Sequence, residues 1–65
     1  MGRVARTMHI VGSSTRSLEE AVRDGMARAA HRGAAWVRIT RITARASDER
    51  RELYRVRLLI GLSGA

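Results

Sequence analysis

The sequence contains no cysteine, so neither a disulfide nor a thiolate metal site holds it together. Phenylalanine is absent, and Trp36 and Tyr54 are its only Trp and Tyr, so any core is mainly aliphatic. Lysine is absent as well: all thirteen basic residues are arginine. Long apolar runs are missing. The longest, residues 58–62, is five residues counting Gly61, against the roughly 20 that a membrane-spanning helix needs. Residues 1–11 carry Arg3 and Arg6 but no apolar h-region, so no signal peptide is expected and a soluble, cytoplasmic protein is the default. No Cys/His cluster points to zinc. His9 is expected on a strand and His31 at a helix end, as surface or cap residues rather than ligands or bases.

What is present is charge and a small apolar set. The formal net charge is +7 and the isoelectric point about 11.8. That balance favours an anionic partner: nucleic acid, a phosphorylated small molecule or an acidic surface. An all-arginine basic set is equally what a GC-rich coding sequence produces. Sixty-five residues make a single domain, 1–65. A chain this short buries only about 60% of the surface its unfolded form exposes. With no disulfide or metal to help, further burial between subunits is expected.

Residues 4–11 form the first strand candidate. Val4, Met8 and Ile10 share one parity, Arg6 interrupts it, and Gly12-Ser13-Ser14 punctuates its end. A helix is expected over 17–31. Ser17-Leu18-Glu19-Glu20 has capping-box spacing, in which the Ser17 oxygen takes a first-turn N–H and Glu20 reaches back. Leu18, Ala21, Val22, Gly25, Met26 and Ala29 recur at helical steps and form one apolar stripe. Glu19–Arg23 and Asp24–Arg28 are i,i+4 pairs of favourable polarity on the other face. Gly25 inside the stripe costs about 1 kcal/mol against alanine, and close approach of the helix to a sheet is its expected reason. Gly33 closes the helix.

Residues 36–43 and 53–62 each alternate with the period of a half-buried strand. A charged connector, 46–52, separates them and has no two-residue turn signal, so a longer loop around 47–51 is expected. In the last run Tyr54, Val56, Leu58, Ile60 and Leu62 share the face that the helix covers, while Arg55, Arg57, Leu59 and Gly61 face away. In the middle run Val37 and Ile39 are expected toward the helix, with Trp36, Arg38, Thr40 and Ile42 on the open face. The expected fold class is therefore α+β, with order β-α-β-β: one helix packed on one face of a three-stranded antiparallel sheet. The open face then holds Trp36 beside Arg38, Arg55 and Arg57. An exposed Trp in such a place serves as a subunit contact or a ligand platform.

Read end to end, the chain resembles the dodecins, small β-α-β-β proteins that assemble into a hollow dodecamer and bind flavins. Ile10-Val11-Gly12-Ser13-Ser14 is similar to the end of their first strand, and Ser17-Leu18-Glu19-Glu20-Ala21-Val22 with Ala27-Arg28-Ala29 to their helix. Trp36 stands where the family has its Trp, Tyr54-Arg55-Val56 where it has Tyr-Gln-Val, and Gly61 matches a recurrent Gly. No single motif is specific; the ordered set is. The resemblance implies a homododecamer built of trimers, in which Trp36 stacks on the ring of riboflavin or FMN at an inter-subunit contact. It also shows two departures. Arg55 replaces the Gln that bonds the flavin ring, and Thr43-Ala44 occupy the place of an Arg-Gly pair.

An indole face can hold a planar ring by stacking. Arg55 can donate to a ring carbonyl but cannot accept from the ring N–H. Arg38, Arg55 and Arg57 would favour a phosphorylated flavin through charge-assisted bonds. The expected function is flavin storage or sequestration, with Trp36, Arg38, Thr43, Arg55 and Arg57 as the contact set. The alternative is a dodecin-like assembly in which Trp36 plugs the contact between trimers and no flavin binds. A nucleic-acid binder is the third reading: the charge and Trp36 would suit a stacking platform, but no helix-turn-helix, zinc-finger or RRM pattern is present. No nucleophile–base pair or paired carboxylates are visible, so an enzyme is not expected.

Overall fold

A computed structural model describes residues 3–45 and 54–64. The elements are β1 (Arg3–Ser14), α1 (Leu18–His31), β2 (Ala34–Ala44) and β3 (Tyr54–Gly64). Both strand pairings are antiparallel and the order is β1-β3-β2. The last strand thus lies in the centre, which explains why its sequence carries the longest alternating apolar set. The connector and the loop expected around 47–51 lie outside the described residues.

The first strand runs further than its sequence signals. Gly12 pairs with Val56 and Ser14 with Tyr54, so Gly12-Ser13-Ser14 continues β1 instead of ending it. A long central partner keeps supplying backbone hydrogen bonds, and that outweighs the local turn preference of Gly and Ser. The helix starts as expected, with the Glu20 N–H donating to Ser17 Oγ at 3.1 Å. The other half of the cap differs. Ser14 Oγ, not Glu20, accepts the Ser17 N–H at 3.3 Å, and it also accepts the Arg16 N–H at 2.9 Å. The Ser14 hydroxyl in turn donates to Glu20 Oε1 at 3.3 Å. The end of the strand therefore completes the cap that Glu20 alone was expected to close. At the far end Arg32 is the C-cap and Gly33 follows at φ 75°, the left-handed conformation that stops a helix.

The core is small. Ala21, Ala29, Val56, Leu58 and Ile60 are fully buried, with Met8, Ile10, Val22, Val37, Tyr54 and Leu62 packed around them. Burying Val56, Leu58 and Ile60 stabilises by about 1.5–3 kcal/mol each. The helix lies over β1 and β3 and meets β2 least. It comes close because Gly12 on β1 faces Gly25 on the helix. A Cβ on Gly12 would stand 2.6 Å from the Gly25 Cα. At that spacing only small residues fit, so the helix buries Ala21, Gly25 and Ala29. Leu18 and Met26, expected within the buried stripe, remain exposed at 37% and 45%.

The helix is also tied to the sheet by a polar contact. The Ser13 N–H donates to Asp24 Oδ2 at 3.0 Å, and Arg28 Nε donates to the same oxygen at 3.2 Å. The Ser13 hydrogen bond holds the Asp24 carboxyl below its ordinary value; partial burial opposes this and Arg28 reinforces it. A depressed native pKa adds stability above the unfolded value of about 4. That stability is lost as the pH falls through the native value. Asp24→Asn is expected to lower stability at neutral pH and to flatten the acid limb of a midpoint-versus-pH curve. An acid limb with the wild-type slope would contradict this role. The Glu19–Arg23 pair forms too, at 3.3 Å, but on an exposed face where such pairs contribute little.

Candidate functional site

The open face of the sheet owes its composition to one extra residue. Arg38 pairs with Leu59 and Ile39 with Leu58, but the next partners are Arg41 and Arg57, so a bulge lies between Ile39 and Arg41. Thr40 is the additional residue, and its hydroxyl donates to the Arg57 carbonyl at 3.2 Å. Beyond a bulge the facing of side chains is reversed. Arg41 and Thr43 therefore join Arg57 and Arg55 on the open face. Ile42 pairs with Val56 and turns to the helix side, which corrects the expectation that it faces away with Trp36. The physical reason lies in Arg41. Without the bulge Arg41 would stand opposite Val56 on the buried face, where an unpaired charge is costly.

Four cross-strand rows result. Trp36 and Thr7 flank Gly61, Arg38 and His9 flank Leu59, Arg41 and Val11 flank Arg57, and Thr43 and Ser13 flank Arg55. All the residues read as contact candidates, Trp36, Arg38, Thr43, Arg55 and Arg57, thus share one face. Trp36 is half-buried and the arginines are exposed. The indole fills the space above Gly61. A Cβ at that position would come within 2.7 Å of Cζ2 and nearer still to Nε1 and Cε2. The Arg38 guanidinium lies over the ring, 5.7 Å from its centroid, as a cation–π partner. The indole is therefore seated by a glycine of its own row and covered by a cation of the next.

Simple alternation missed Arg41 and the seating role of Gly61. A signal for the first existed: in strict alternation an arginine would fall on the buried parity of β2, which is itself an argument for a bulge nearby. Among the described residues no group of three or more His, Cys, Asp or Glu side chains is placed to hold a metal ion. No helix among them is long and apolar enough to cross a membrane.

This β-α-β-β topology, with an indole on the open face of the sheet, agrees with the family comparison. The dodecin family model matches residues 4–63. The chain belongs to the dodecin family. No curated protein and no solved structure gave a significant match. Dodecins are non-enzymatic ligand-binding proteins, and flavin binding is typical of them. In this dodecin Trp36 sits over Gly61 at one end of the open face, and Arg55 and Thr43 stand opposite each other three rows away.

Proposed function

We propose that this dodecin stores or sequesters a flavin, with the ring stacked on Trp36 at a contact between subunits of a homododecamer built of trimers. The observation that carries the reading is the seat of Trp36, fixed over Gly61 with Arg38 across the ring, at one end of a cationic face. Arg55 lies three cross-strand rows, about 20 Å, from the Gly61 seat, so it donates to a ring carbonyl only across the contact between subunits. Thr43, directly opposite it, brings a hydroxyl that both donates and accepts, which replaces the acceptor lost with the family's Gln. A flavin stacked in this way is shielded from light and from radical-forming partners. Assembly is supported by the helix side of β2, where Ile39 and Ile42 stay 44% and 53% exposed because the helix does not reach them.

Titrating the protein into riboflavin or FMN is expected to quench flavin fluorescence, and Trp36→Ala to abolish the quenching. Light scattering on the same wild-type sample is expected to show a particle of twelve 7.2 kDa chains. Unchanged fluorescence with a particle of that size would favour the ligand-free assembly. A stable monomer or dimer would remove the assembly from the proposal.

A further inference from the structure

Trp36 has both sides of its ring engaged. One side rests on β3: the atoms Nε1, Cε2 and Cζ2 lie where a side chain on Gly61 would stand. The Arg38 guanidinium lies over the ring, 5.7 Å from its centroid. The indole is accordingly half-buried, although it sits at the surface of the open face. A planar ligand that stacks on an indole brings its own centroid to about 4.5–7 Å from the ring. That is the layer in which the guanidinium stands. Ligand and Arg38 therefore compete for one place.

The charges around Arg38 keep it there. Arg41 and Arg57 occupy the next row on the side away from Trp36, and they repel it. The acids among the described residues, Glu19, Glu20 and Asp24, lie on the helix, across the sheet. Each has a nearer arginine: Arg23, Arg16 and Arg28 respectively. Arg38 itself forms no ion pair among the described residues. The electron-rich indole is then the attractive partner within its reach, and a planar guanidinium suits it. We propose that Arg38 is an intramolecular competitor of the ring ligand: it closes the outer face of the indole, and a flavin stacks only once the guanidinium swings off. The ligand's identity rests on the flavin reading above; the closure rests on the Arg38–Trp36 contact alone. Apparent affinity falls by the fraction of molecules whose face is open. An exposed cation–π contact leaves about a sixth to a third of them open.

The test uses riboflavin, which is uncharged, so that net charge alone does not alter binding. Fluorescence titrations compare wild type, Arg38→Thr and Arg23→Gln. Threonine suits a strand and is too short to cover the ring. Arg38 is exposed, so its replacement leaves the core untouched, and Arg23→Gln removes a charge from the helix instead. Arg38→Thr is expected to bind riboflavin about three- to sixfold more tightly than wild type. Arg23→Gln should stay within about twofold of wild type. Equal or weaker binding by Arg38→Thr would overturn the closure and leave the flavin reading standing. If none of the three proteins binds, the flavin reading falls and a ligand-free measurement decides the closure. Trp36 is the only tryptophan, so intrinsic emission reports it alone. Acrylamide, a small neutral quencher, should quench that emission about twofold or more steeply in Arg38→Thr than in wild type. An unchanged slope would overturn the closure.

Discussion

Gly12→Ala is expected to separate the helix from the sheet. The new Cβ would meet the Ala21 carbonyl oxygen, the Gly25 nitrogen and the Gly25 Cα, all of them backbone atoms. No rotamer change relieves such a contact, so the helix must lift as a unit and uncover Val56, Leu58 and Ile60. Overpacking of this kind costs about 3 kcal/mol or more. A fold of this size rarely holds more than about 3–5 kcal/mol in a single core, so the variant should be largely unfolded as an isolated chain. Gly25→Ala is the informative comparison. Its Cβ would meet Leu58 Cδ1 at 2.6 Å, the far end of a flexible side chain. The substitution also recovers about 1 kcal/mol of helix propensity. It should be much the milder of the two. Denaturant midpoints read by far-ultraviolet circular dichroism check the order; equal midpoints for Gly12→Ala and wild type would contradict the close helix–sheet contact.

Gly61→Ala should disable the ligand face while leaving the fold intact. Gly61 is buried beneath Trp36, and its added methyl would occupy the space of Nε1, Cε2 and Cζ2 of the indole. The ring is the movable partner, because it sits at the surface of the open face while β3 is held on both sides. Displaced from its seat, it also leaves Arg38. Loss of an aromatic stacking partner weakens binding by about 1–3 kcal/mol, or roughly ten- to hundredfold. The variant should therefore fail to quench flavin fluorescence nearly as completely as Trp36→Ala, with an unchanged helix signal and a red-shifted Trp emission. Wild-type quenching in Gly61→Ala would mean that the seat does not orient the indole.

Much of this was written locally. Ser17 and Gly33 bracket the helix because capping chemistry acts within one turn. The five apolar positions from Tyr54 to Leu62 mark the buried face of β3 because period 2 is a property of the strand itself. The same alternation placed Trp36, Arg38, Arg55 and Arg57 on one face, and it did so correctly since no bulge intervenes in β3 or between Trp36 and Ile39. The cap was legible only in part: Ser17 acts as read, but Ser14 enters it from the end of a strand that the sequence had seemed to stop earlier.

The sequence by itself determined the elements, the helix limits and the apolar face of β3, since each depends on residues within a few positions of one another. Only the tertiary structure decided the rest. β3 became the central strand because it pairs with partners far away in the chain. Gly12 and Gly25 acquired their meaning when the helix crossed the sheet at those two points. The bulge at Thr40 reversed the facing of Arg41, Ile42 and Thr43. A bulge sits where two strands settle their register, and register is a property of the pair rather than of either sequence.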